Sequence, residues 1–149
     1  MLINSGNTLT VLDTSEAGTG TMISAGRSLA HSGGVINVGS GGTLNICSGT
    51  FTQPANGSNV AKGGVISSAG TVNMYGGTIT GGQALDDGET LGNGGNVIIS
   101  SGVFNMYGGT ISGGTASVGS NIYIAASGTL NHEGGTIEDK DNTCVKAEA

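Results

Sequence analysis

The carboxylate, imidazole and thiol groups that acid–base catalysis and metal binding most often use come, in this chain of 149 residues, from ten acidic side chains, two histidines and two cysteines. The densest acidic stretch is Asp86, Asp87 and Glu89 around Gly88. Oxygen ligands in such a loop make it a weak calcium candidate, and its ordinary reading is a solvated loop. General acid–base chemistry on a polymer needs carboxylates that face one another across the scissile bond. Here the acids fall within one loop, on separate loops, or at Asp139 and Asp141 near the C-terminus. The four cations, Arg27, Lys62, Lys140 and Lys146, form no cluster. His31 sits in a Ser-Gly loop and His132 reads as an inward-facing residue near the end of the fold, not as a ligand. Cys47 and Cys144 show neither a CxxC pair nor zinc-ligand spacing and are read as free thiols. The expectation is a chain without catalytic residues and without a cofactor.

Binding chemistry is a different matter, because polar and aromatic residues recur at matching places. Asn73-Met74-Tyr75 and Asn105-Met106-Tyr107 are the same triplet, and Asn45 and Asn131 occupy the corresponding positions elsewhere. Two tyrosines flanked by amides, one apolar body and several hydrogen-bonding groups, make a surface on which a sugar ring can lie. The structural reading is a ladder of amides that bond one another along a stack. A second array is Thr50/Thr52, Thr78/Thr80 and Thr110/Ser112, flanked by Thr136/Glu138 and Met22/Ile23. Flat ranks of threonine on a solenoid resemble insect-type ice-binding faces, although threonine is also simply a good exposed strand former.

What positions these residues is an internal repeat. Four segments align without gaps: GTLNICSGTFTQP, GTVNMYGGTITGG, GVFNMYGGTISGG and GTLNHEGGTIEDK, from Gly42, Gly70, Gly102 and Gly128. Their landmark asparagines, Asn45, Asn73, Asn105 and Asn131, stand 28, 32 and 26 residues apart. The variation lies in the segment after each GTxT, as expected of a solenoid whose strands are fixed and whose loops are not. Each unit reads as three short strands separated by glycine bends. Period-two alternation predicts the inward residues. These are Ile36, Val38, Leu44, Ile46 and Phe51 in the second coil, and Val65, Ser67, Val72, Met74 and Ile79 in the third. Val97, Ile99, Phe104, Met106 and Ile111 follow, then Ile122, Ile124, Leu130, His132 and Ile137. The N-terminal segment fits as a further coil through Met1, Ile3, Leu9, Val11 and Met22, with the insertion DTSEAGTG before its third strand.

The fold class predicted is all-β: a right-handed parallel β-helix of about five coils of three short strands. One solenoid domain spans residues 1–138, with coils near 1–34, 35–64, 65–96, 97–121 and 122–138. Residues 139–149 form a polar tail able to cap the last coil. Stacking at strand spacing implies a rod of roughly 24 Å. Helical alternatives fail on the density of Gly, Ser and Thr.

Composition narrows the partners. With 31 glycines and no three-residue period, collagen is excluded. A net charge of -6 without a basic patch argues against nucleic acid and against an anionic membrane surface. No apolar run is long enough to insert into a membrane. The first coil exposes an apolar end carrying few charges, which predicts self-association through the N-terminal end of the solenoid.

The stretch GGNVIISSGVFNMYGGTISGGTASVGSNIYI resembles degenerate repeats of bacterial exported and cell-surface proteins with the pectate-lyase-like, right-handed parallel β-helix fold. The similarity covers about residues 35–137, and NTLTVLDTSEAGTGTM looks like the coil that opens such arrays. The resemblance implies an extracellular or cell-surface location, with any signal segment outside this chain. The function expected from the residues is a non-catalytic module for adhesion, glycan or protein binding, or display. Two alternatives stand beside it: a non-catalytic part of a polysaccharide-active enzyme, and ice binding through the Thr-x-Thr array. Candidate ligand-binding residues are Asn73, Tyr75, Asn105 and Tyr107.

Overall fold

The computed structural model describes residues 1–23, 33–53, 62–86, 91–138 and 144–148. Among them there is no helix, and the chain winds through parallel strands stacked as a β-solenoid. The first turn contains β1 (Leu2–Ile3), β2 (Thr8–Val11) and β3 (Thr21–Ile23), and the second β4 (Ile36–Val38), β5 (Thr43–Ile46) and β6 (Thr50–Thr52). The third holds β7 (Ile66–Ser68), β8 (Thr71–Met74), β9 (Thr78–Thr80) and the short β10 (Gln83–Ala84). Next come β11 (Val97–Ile99), β12 (Gly102–Met106), β13 (Thr110–Ser112) and β14 (Thr115–Ala116). The series closes with β15 (Ile122–Ile124), β16 (Gly128–His132), β17 (Thr136–Ile137) and β18 (Cys144–Lys146).

Three long faces result. The first runs β1-β4-β7-β11-β15-β18, the second β2-β5-β8-β12-β16 and the third β3-β6-β9-β13-β17. Three of the turns are covered by a neighbour on both sides, and the first and last turns are the ends. On these three faces each strand between the two ends pairs with the coil before and after, so backbone groups are satisfied along the rod rather than within a turn.

The repeat fixes this arrangement because like residues stack on like. Leu9, Leu44, Val72, Phe104 and Leu130 form one interior column, and Val11, Ile46, Met74, Met106 and His132 the next. Met22, Phe51, Ile79, Ile111 and Ile137 form a third. Residues in the middle of these columns are fully buried, whereas Leu9, Val11, Met22, Leu130 and Ile137 at the two ends are only partly so. The bends must be glycine where coils touch. Gly77 has φ 84° and a Cβ there would meet the Gly49 carbonyl oxygen at 2.7 Å; Gly109, with φ 88°, would meet that of Gly77 at 2.6 Å. A side chain at either position faces both a left-handed backbone and a backbone clash.

One face assignment is corrected. Alternation counted along GVISS places Val65 and Ser67 inside; Val65 is indeed wholly buried in the core, but Ile66 and Ser68, not Ser67, pair with Ile36 and Val38 and occupy the strand's interior columns. The register is that of the repeat: GVISS lies without a gap on GVINV, which sets Ile66 on Ile36 and Ser68 on Val38. A shared carbonyl marks each of these corners: Val65 oxygen accepts the N–H groups of both Val35 (2.9 Å) and Ile36 (3.1 Å), and Asn96 oxygen those of Val65 and Ile66, both at 2.9 Å. The same sharing recurs at Asn121 for Asn96 and Val97, so no coil gains a residue over its neighbour. Ser67 is nonetheless 7% exposed, covered on the outer side by the Gly33 corner.

The tail also contributes more than a polar drape. Cys144–Lys146 adds a sixth strand to the first face, with Ile122 beside Cys144 and Ile124 beside Lys146. The interior columns of that face therefore end on Cys144 and Lys146, and a column of the second face ends on the exposed His132.

Candidate functional site

The second face carries the arrangement that the repeat points to. Alternation turns Leu44, Ile46 and their equivalents inward, so the residues between and after them face solvent. Register then sets Asn45, Asn73, Asn105 and Asn131 in one outward column, continued by Thr10 at the N-terminal end. Asn131 Nδ2 donates to Asn105 Oδ1 at 2.8 Å, Asn105 to Asn73 at 2.9 Å, and Asn73 to Asn45 at 2.9 Å. Asn45 Nδ2 donates in turn to Thr10 Oγ1 at 3.3 Å. The ladder has one direction, each amide giving a proton to the coil before it. Its bonds use one N–H and one oxygen lone pair of each interior amide, and a carboxamide has two of each.

Beside the ladder runs a second outward column: Cys47, Tyr75, Tyr107 and Glu133. All four N–H groups bond the carbonyl of the inward residue one coil back, Val11, Ile46, Met74 and Met106. The rings of Tyr75 and Tyr107 are stacked, with centroids 5.2 Å apart and planes 12° from parallel. Ring faces in contact lie about 3.5–4.0 Å apart, so the remaining distance is lateral slip, and each ring overlaps its neighbour like a tile. Tyr75 is 55% exposed and Tyr107 43%. The four residues singled out from sequence, Asn73, Tyr75, Asn105 and Tyr107, thus lie side by side on one exposed face.

The hydroxyl array lies on the third face. Thr50, Thr78, Thr110 and Thr136 share one column, and Thr52, Thr80 and Ser112 another, all beside the Phe51–Ile79–Ile111 interior. Ser112 Oγ reaches Thr80 Oγ1 at 3.5 Å. Ile23, 60% exposed, occupies the Thr52 column at the N-terminal end. At the other end the Glu138 carboxylate accepts the Gly113 N–H at 2.6 Å.

The acidic candidates separate. Asp86 Oδ1 accepts the Gly92 N–H at 2.7 Å and the Ser117 hydroxyl at 2.6 Å, which ties two adjacent loops together. These bonds, the Gly92 N–H first, hold its carboxyl below the ordinary carboxylate range. Asp87 and Glu89 lie outside the described residues, as do Asp139, Asp141, Arg27, Lys140 and His31. Among the described residues no group of three His, Cys, Asp or Glu side chains is placed to hold a metal. Cys47 and Cys144 are both free and lie on different faces.

Two features were not singled out from sequence. Asn96 and Asn121 are wholly buried at the corner before the first face. Asn96 Oδ1 accepts the Gly82 N–H at 2.8 Å, and its Nδ2 donates to Ser112 oxygen at 2.7 Å and to Asn121 Oδ1 at 2.8 Å. The signal was available as Asn replacing Val before two of the first strands, but a single amide says nothing of burial. The other feature is a cavity of about 420 Å³ at the N-terminal end, lined by residues that include Leu12, Asp13, Met22 and Phe51. Asp13 closes the insertion around it by accepting the N–H groups of Ser15 (2.9 Å) and Gly20 (2.7 Å).

No protein-family model, curated protein or solved structure matches the chain. The fold and this face therefore carry the functional argument by themselves.

Proposed function

We propose that the chain is a non-catalytic glycan-binding module, working at a bacterial cell surface or in a secreted protein as an adhesive or display element. The observation that carries this reading is the tyrosine stack laid alongside the asparagine ladder on one exposed face. Aromatic surface offers the apolar face of a sugar a contact, and carboxamides both donate to and accept from its hydroxyls. The repeats supply the likeness to right-handed, pectate-lyase-like helices of exported bacterial proteins, and with it the proposed location. Catalysis has no support in the same face, since Glu133 is the only carboxylate in the aromatic column and it has no acidic partner there.

The test is a glycan array probed with the wild-type chain and with a Tyr75→Ala, Tyr107→Ala double variant. Both rings are exposed, so circular dichroism should be unchanged while glycan binding is lost. Equal binding by the two proteins would leave the stack and the ladder as structural features only.

A further inference from the structure

We infer that the ligand is an extended, uncharged polysaccharide lying along the rod axis, one sugar unit to each coil, and this rests on the glycan-binding reading above. The aromatic column does not stop at Tyr75. Val11 pairs with Ile46, so the next residue on each strand, Leu12 and Cys47, extends the same outward column by two more coils. Leu12 is 61% exposed and Cys47 is partly buried. The result is a stripe of Leu12, Cys47, Tyr75 and Tyr107 running parallel to the ladder of Thr10, Asn45, Asn73 and Asn105.

Along the axis the same pair of surfaces, one apolar and one amide or hydroxyl, recurs at each strand step of about 4.8 Å. A ligand that repeats its own chemistry meets this pattern in one direction only. Across the face, by contrast, the columns differ from one another: threonine and valine, then amide, then aromatic. The stripe also has a natural end. Leu12 is the first residue of the stripe and lies at the rim of the cavity of about 420 Å³ at the N-terminal end.

Charge selects the class. Neither column contains a cation, while Glu133 lies at one end of the stripe and Asp13 at the other. A carboxylated or sulfated sugar chain would meet like charges, with no Lys or Arg in either column to pair with. A neutral chain loses nothing there.

The experiment is calorimetric titration of the 149-residue chain with linear gluco-, manno- and xylo-oligosaccharides from disaccharide to hexasaccharide. A galacturonate oligomer of matched length serves as the charged probe. Affinity should rise about tenfold from disaccharide to tetrasaccharide and then level off, a gain of ~1.4 kcal/mol. Leu12→Asp, two coils from the nearer tyrosine, should remove that gain. Affinity independent of length overturns the axial alignment. So does loss of binding in Thr71→Asp with none in Leu12→Asp, because that places the ligand across the face. Tighter binding of the galacturonate oligomer overturns the neutral class. Failure of the wild-type chain to bind any sugar would instead sink the glycan-binding reading itself.

Discussion

Asn96 donates a hydrogen bond to Asn121 Oδ1 at 2.8 Å in a corner from which solvent is wholly excluded. The two amides take the place that Val35 and Val65 hold in the earlier coils, where the corner is apolar. What they add is partners for backbone groups: the Gly82 and Gly114 N–H groups and the Ser112 and Glu138 carbonyls all bond these two side chains.

Asn96→Leu is therefore expected to destabilise the fold by about 2–4 kcal/mol, because buried donors and acceptors lose their partner and no water replaces it. The outward Asn73→Leu, whose neighbours remain accessible to solvent, should cost under ~1 kcal/mol. Urea unfolding of both variants checks the contrast. Equal midpoints for the two would mean that the corner amides contribute no more than the surface ladder.

Asp13 and Asp86 predict how the loops respond to acid. The Ser15 hydroxyl, then the Ser15 and Gly20 N–H groups, hold the Asp13 carboxyl below its ordinary range, as Gly92 and Ser117 do for Asp86. A lowered pKa means that the carboxylate form favours the closed loop. Its contribution is complete above the unfolded value of about 4 and disappears as pH falls through the lower folded value. The Gly20 and Gly92 amides, each bonded to one of these carboxylates, should stay protected from hydrogen exchange down to about pH 4 and lose protection below it. Loss of protection already at neutral pH would contradict the assignment.

The two ends of the rod differ in a way that bears on self-association. At the N-terminal end the interior columns begin with Ile3, Leu9, Val11 and Met22, all apolar. At the other end they include Lys146 and His132. Head-to-tail stacking would press Lys146 into an apolar column, and an unpaired buried cation is costly. Strand β18 also occupies the place on β15 that the β1 of a following copy would take. The 149-residue chain is accordingly expected to associate through matching N-terminal ends into a closed pair, not a filament. Leu9→Lys should keep it monomeric, since Leu9 is only half-buried, whereas Ile3 at 5% exposure belongs to the core. Sedimentation across a wide concentration range decides. Growth beyond a dimer, or a monomer at every concentration, would count against it.

The sequence by itself determined the solenoid, its interior columns and the amide ladder. Those follow from local repetition: NMYGGTI stacked on NMYGGTI sets asparagine on asparagine whatever loop intervenes, so the unequal spacing of the asparagines does not disturb the register. Tertiary structure alone decided that Val65 is wholly buried at the corner beside Ile66, with its carbonyl shared between two N–H groups of the neighbouring coil. It also decided that Asn96 and Asn121 are buried while Asn73 and Asn105 are partly open, and that Cys144–Lys146 pairs with β15. In a parallel solenoid every strand partner comes from another coil, some 22 to 35 residues away. The type of residue that stacks is readable locally, but what covers it depends on the corner that the next coil brings over it.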